Sequence, residues 1–159
     1  MSDYILFSTL LGLCIGSFLN VIIHRVPRGK SIISKRSNCP SCKKNLQPID
    51  LIPIISWSIL RGKCRYCQTK IGFRYPFVEG LTVVAFILCL LNGYGESNLV
   101  LTYCKIFSGW ILLSCLISIT FIDIVHMIIP KQIILFGIVS GITINLITSY
   151  ITTNNLFIG

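Results

Sequence analysis

The sequence predicts an all-α integral membrane protein of about four transmembrane helices, with one small basic insert between helices 1 and 2. Three observations carry that prediction. Of the 159 residues, 53% are hydrophobic and only 12% charged, about half the share in an ordinary soluble domain. The apolar residues gather into four long stretches, each near the length that a bilayer demands. Finally, the net charge of +9 is confined: 12 of the 14 Lys and Arg residues lie between His24 and Pro76, where Asp50 is the only acid. Charge so localised has a topological explanation, which argues against nucleic acid as the partner and for the lipid bilayer.

Tyr4 to Ile23 is uncharged over 20 residues and, at a rise of about 1.5 Å per residue, spans roughly 30 Å of hydrocarbon. It is preceded by Asp3 and by no basic segment, so it is expected to stay in the mature protein as a transmembrane helix. Residues 77–94, containing Glu79, give a second and shorter span; Leu99 to Ile122, containing Lys105, a third; Ile133 to Ile151 an uncharged fourth. Between the second and third, Asn92-Gly-Tyr-Gly-Glu-Ser-Asn98 is dense in turn formers and predicts a tight loop between antiparallel helices. The expected division is therefore 1–23 as helix 1, 24–76 as the basic insert, and 77–159 as helices 2 to 4. Because Lys and Arg accumulate in cytoplasmic loops, the insert and the segment Asp123 to Lys131 are expected inside, and the Gly93 to Asn98 loop outside. Gly12 and Gly16, and again Gly137 and Gly141, have the G-x-x-x-G spacing that permits close helix approach, although glycine is common in membrane helices generally.

Cys39-Pro-Ser-Cys42 and Cys64-Arg-Tyr-Cys67 form C-x2-C-x21-C-x2-C. Both halves have one local form, each followed at the fourth position by an aliphatic residue, Leu46 and Ile71. Two matching turns around one ion would give that pattern, so Cys39, Cys42, Cys64 and Cys67 are expected to hold a structural zinc and make the insert zinc-ribbon-like. Redox pairs or unmetallated thiols are the competing readings; a reducing cytosol disfavours disulfides. Four thiolates would complete the tetrahedral shell, so the metal would fold the insert and leave catalysis to other groups. Cys14, Cys89, Cys104 and Cys115 read as small core residues.

Five acids remain. Asp3 and Glu96 fall outside by this topology and Asp50 lies in the insert, while Glu79 and Asp123 sit at cytoplasmic helix ends. Ionisable groups at that depth are functional candidates, or else solvated interfacial caps. Asp123 stands among apolar residues, Phe121-Ile122-Asp123-Ile124-Val125, and is expected to be buried, where a carboxyl can share a proton with a second one. His126 reads as structural.

Several stretches together resemble a known family, the type IV prepilin peptidases. They are Gly16-Ser-Phe-Leu-Asn-Val21, the two C-x-x-C pairs, Ile52-Pro-Ile-Ile-Ser-Trp57, Arg61-Gly-Lys-Cys64, Arg74-Tyr-Pro-Phe-Val-Glu79, and Asp123 followed by Ile129-Pro130. They run in order over most of the chain from residue 12 to residue 141. The resemblance implies a multi-pass bacterial inner-membrane aspartic endopeptidase that cuts the basic leader from prepilin-like substrates at the cytoplasmic face. It also implies N-methylation of the new terminus with S-adenosylmethionine. Asp123 corresponds to the first catalytic aspartate, and Glu79 marks a methyl-transfer candidate. Two departures stand out: Lys131 follows the Ile-Pro pair where an acid is common, and the later Gly-x-Gly-Asp motif with the second aspartate is missing. Gly93-Tyr-Gly-Glu96 resembles that motif superficially but precedes Asp123 and is expected outside. Since the family has about eight membrane helices, the chain reads as an N-terminal half, whether a fragment, a truncated gene product or one part of a split enzyme with a separate C-terminal half as its partner, and no protease activity is expected of it alone. The alternative is a membrane-tethered zinc-ribbon binding or scaffold protein without catalysis.

Overall fold

The four apolar stretches fold as helices in the computed structural model, which describes residues 2–33, 37–93 and 98–158. Helix α1 covers Ser2–Arg25. A short α2, Ile55–Ile59, lies within the insert, and α3 (Arg74–Gly93), α4 (Leu99–His126) and α5 (Lys131–Ile158) follow. Helices α1, α3, α4 and α5 are each long and apolar enough to cross a membrane, which makes the chain all-helical and multi-pass. The tight loop expected over Asn92 to Asn98 falls largely on residues 94–97, outside the described residues; Asn98 caps α4, its Oδ1 accepting from the Val100 amide at 2.9 Å.

Helix ends follow local chemistry. Past Ile23, α1 continues to Arg25, whose guanidinium donates to the carbonyls of Ser31 and Ile32 and so turns the chain back on itself. The turn closes on Gly29 at φ 62°, a left-handed conformation that glycine adopts without strain. Helix α4 stops at Met127, also left-handed, whose amide donates to the Asp123 carbonyl at 2.8 Å. Pro130 follows, and α5 begins.

The tightest packing joins α1 to α3. A Cβ placed on Gly16 would lie 2.7 Å from the Glu79 Cα, and one on Gly12 would lie 2.9 Å from the Val83 Cα. Only hydrogen fits at either position, so these glycines set the spacing of the two helices. The second glycine pair behaves differently: Gly137 has ordinary clearance to Cys115, and Gly141 faces open space. Around the α1–α3 seam, Leu19, Ile23, Val78, Ala85, Ile117 and Ile122 make one buried cluster, and Phe86, Leu90, Ile106 and Trp110 a second. In the second, Trp110 stacks on Phe86 at 4.8 Å and donates its indole N–H to the Phe86 carbonyl. The buried hydroxyls of Thr82 and Ser118 donate to carbonyls one turn back, leaving neither orphaned in an apolar interior. Helix α5 packs along α4 and leaves its apolar side chains from Leu135 to Tyr150 largely exposed, as a lipid-facing helix does.

Replacing Gly16 with Leu is expected to wedge α1 from α3 and to cost about 2 kcal/mol or more. Gly141→Ala is expected to be neutral. Thermal unfolding of the two variants in the same detergent micelle checks the contrast; equal midpoints would contradict the close-approach account.

Candidate functional site

The four insert cysteines converge. Their Sγ atoms all lie within 4.8 Å of one another, in an arrangement that could hold a metal ion. For metal–sulfur bonds of about 2.3 Å, the edge of a tetrahedron is about 3.8 Å; the Cys39–Cys67 separation is 3.7 Å. Cys39 and Cys64 are buried and Cys42 and Cys67 lie further out.

Each half of the cluster is built by the same turn. In the first, the Cys39 carbonyl accepts from the Lys43 amide, the Cys39 amide donates to Lys44, and the Leu46 amide closes on Ser37. In the second, the Cys64 carbonyl accepts from Gln68, the Cys64 amide donates to Thr69, and Ile71 closes on Gly62. Lys43 (φ 57°) and Gln68 (φ 58°) occupy matching left-handed positions just after each pair. Amides thereby turn toward the sulfurs, the local geometry that lets thiols ionise. The Thr69 hydroxyl, 3.2 Å from the Cys67 sulfur, and the Thr69 amide hold that thiol down at about 6. The Cys42 amide lowers Cys39. The Lys44 amide favours the Cys42 thiolate too, yet burial and crowding by Cys39 and Cys67 push this thiol up to about 11. Four sulfurs so close cannot all be anionic without a cation among them, and this donor set fits a thiophilic divalent ion. Leu46 and Ile71, the aliphatic residues that follow the two pairs, are half-buried.

The two halves are tied together and to the membrane helices. Asp50, whose side chain is 4% exposed, accepts from Arg65 at 2.7 Å and caps its own turn through the Gln47 amide. The indole of Trp57 lies on Gly62 and donates to the Ile71 carbonyl at 3.2 Å. From Trp57 a ladder of ring contacts runs through Phe73 and Phe77 to Phe121 on α4, with centroids 5.7, 6.1 and 6.1 Å apart. A second tie is polar: the Glu79 carboxylate, 7% exposed, accepts from the Ile54 amide at 2.7 Å and lies beside Ser17 of α1. Ile54 itself has a positive φ (59°, with ψ −48°), and its amide is the one that reaches the bundle.

Asp123 shares this end of the bundle, two residues beyond Phe121, and the insert, Glu79 and Asp123 thus lie at one pole. Asp123 is exposed, however, contrary to the expectation of burial. The cause is helical phase: Ile122 points into the core and is fully buried, and the next residue is turned by about 100° away from α1 and α3. His126 is half-buried. Sequence reasoning missed Asn20, which is 4% exposed, donates to the Tyr75 carbonyl at 3.0 Å and has an unpartnered Oδ1. The available signal was that it is the one amide side chain in the first apolar stretch. Two small cavities, about 240 and 290 Å³, lie at the opposite pole, near Gly93 and near Asp3.

Comparison with known proteins gives consistent matches. The family model described as the bacterial peptidase A24 N-terminal domain matches residues 10–92. A prepilin leader peptidase/N-methyltransferase of Myxococcus xanthus is 41% identical over 141 residues, covering 89% of this chain and 40% of that protein. One from Neisseria gonorrhoeae is 36% identical over 176 residues, covering 96% and 59%. The type 4 prepilin-like proteins leader peptide-processing enzyme of Escherichia coli is 41% identical over 141 residues, covering 77% and 50%. The chain spans about half the length of these curated relatives. No solved structure matches it.

The purified chain is expected to carry about one equivalent of divalent metal, and Cys39→Ser or Cys64→Ser to lower that below about a tenth. Elemental analysis after gel filtration reads the outcome, and a wild-type chain free of metal would refute the cluster.

Proposed function

Since the chain belongs to the bacterial peptidase A24 family, whose N-terminal domain it carries, we propose that it serves a prepilin leader peptidase of the bacterial inner membrane. In this reading it contributes to cutting the basic leader of type IV pilin-like precursors and to methylating the new N-terminus. The observation that supports it best is the meeting of insert, Glu79 and Asp123 at one pole of the bundle, which the charge asymmetry assigns to the cytoplasmic face. The proposed division is helix 1 (1–23), insert (24–76) and the start of the peptidase core (77–159), completed by a C-terminal half that supplies a second aspartate.

Peptide hydrolysis by carboxylates needs two of them sharing one proton, one taking a proton from water and the other giving one to the leaving amine. Asp123 is assigned as one member of that pair. Its exposure on the flank away from α1 and α3 suits it to meet a second acid contributed from outside the described helices. Zinc is the proposed ion of the cysteine cluster, held by Cys39, Cys42, Cys64 and Cys67. With four thiolates it has no open position for water, so its role is to fold the insert. S-adenosylmethionine, when bound, supplies the methyl group. Glu79 is the candidate acceptor for the proton that the new terminal ammonium must lose, since a carboxylate has lone pairs beyond the one engaged by Ile54. The competing reading, a membrane-tethered zinc-ribbon scaffold, is favoured by the exposure of Asp123, which also suits a solvated interfacial acid.

The test combines this chain with a C-terminal half from a relative, reconstituted in one bilayer with a pilin precursor. Cleavage is expected only with both halves, and Asp123→Asn is expected to lower it by about 10³-fold or more with metal content unchanged. Cleavage that survives Asp123→Asn would support the scaffold reading. Glu79→Gln is expected to spare cleavage and reduce methylation, as read by the mass of the released N-terminal peptide.

A further inference from the structure

The insert carries an apolar face that the metal cluster does not use. Ile55 and Ile59, four residues apart, share the outer side of α2 and Ile52 lies in the turn before it; they are 53%, 73% and 41% exposed. The inner side is taken by Trp57. Three observations decide what covers the isoleucines. The first is depth. Ile54 is bonded to Glu79, five residues into α3, or about 7.5 Å from the start of that helix. Helix α3 has only 20 residues, about 30 Å, just enough to cross the hydrocarbon. An element fixed beside its second turn cannot stand clear of the bilayer. The second is continuity. Phe77, Leu81, Val84 and Leu88 form the exposed, lipid-facing flank of α3, and the contacts of Phe77 with Phe73 and of Phe73 with Trp57 carry that flank into α2 without a polar break. The third is charge. Arg61, Lys63 and Lys70 are exposed around α2, while Asp50, the acid of the insert, is occupied by Arg65.

We propose that α2 and the turn before it lie in the interface of the bilayer that the other helices span, with the isoleucine face against the acyl boundary and Arg61, Lys63 and Lys70 on anionic lipid headgroups. An apolar face of this size at a depth of 5–10 Å, rimmed by cations, has the design of an interfacial segment. The inference does not depend on peptidase activity. It concerns how the insert is held over the membrane face.

Trp110→Phe leaves Trp57 as the sole indole of the chain, and the experiment places that full-length variant in nanodiscs of phosphatidylcholine with or without phosphatidylglycerol. Lipids brominated high on the acyl chain are expected to quench Trp57 at least about twofold more than lipids brominated near the chain end, with acrylamide quenching weakly. Adding Ile55→Asp and Ile59→Asp is expected to abolish the lipid quenching while limited proteolysis in detergent still shows a folded insert. Quenching in phosphatidylglycerol discs is expected to fall as salt rises, and in phosphatidylcholine discs to be lower and insensitive to salt. Free access of acrylamide without lipid quenching would overturn the proposal, as would equal quenching in the two kinds of disc. Shelter of Trp57 that appeared only on adding a pilin precursor would also overturn it, by assigning the face to a protein.

Discussion

The hydrogen bond from the Ile54 amide to the Glu79 carboxylate is the interaction on which the placement of everything else rests. It fixes the chain just ahead of α2 to one point of the bundle, beside the second turn of α3, and the aromatic contacts from Trp57 then hold the rest of the insert over that point. A bond from an amide to a charged acceptor contributes about 1.5–3 kcal/mol, and more is lost if a buried carboxylate is left unpaired. The bond is possible because two unusual backbone conditions coincide. Ile54 adopts a positive φ that a β-branched residue otherwise avoids, and Gly16 lets α1 come against the Glu79 backbone, closing the apolar wall around the acid. The residues responsible, Gly16, Ile54 and Glu79, span 63 positions of the sequence.

Much of this was legible in the sequence, for reasons that are physical. A bilayer admits so few solutions to backbone hydrogen bonding that four apolar stretches of the right length fix four helices. The cysteine spacing foretold two turns of one form because a metal cluster imposes the same local geometry on each half. Glycine spacing was a weaker guide. It is the same for Gly12 and Gly16 as for Gly137 and Gly141, but only the first pair faces another backbone, and which face of a helix meets a neighbour is a property of the assembly. The exposure of Asp123 differs from the expectation of burial for a related cause: apolar neighbours in sequence do not enclose a helical residue, because adjacent residues look in different directions, and Ile122 takes the core position. Helix α2 and the Glu79 latch were not foreseen, since five residues give no usable periodicity and a long-range bond to one amide leaves no pattern.

The insert shows how a short segment with little apolar interior is made to hold a shape. Some fifty residues whose large hydrophobic side chains stay half-buried or exposed form no independent core, and three ties take its place: the sulfur cluster, the Asp50–Arg65 pair and the stacking of Trp57 on Gly62. Aromatic contacts then hand the structure on to α3 and α4. This arrangement makes the cluster and the Asp123 end of α4 mechanically continuous through Trp57, Phe73, Phe77 and Phe121. It is a rigid connection made of side chains where the backbone provides none.

Helices α3 and α4 are unequal partners, with 20 and 28 residues, or about 30 and 42 Å. The shorter one matches the hydrocarbon and sets the membrane thickness that the bundle accepts, while the longer must lean or overhang. Through the Phe77–Phe121 contact, Asp123 comes level with the very start of α3, at the boundary between acyl chains and headgroups. A thicker leaflet would draw this carboxylate under hydrocarbon, and a thinner one would lift it into water. Hydrophobic mismatch, and hence the thickness of the host bilayer, thereby becomes a control on how deep that side chain sits.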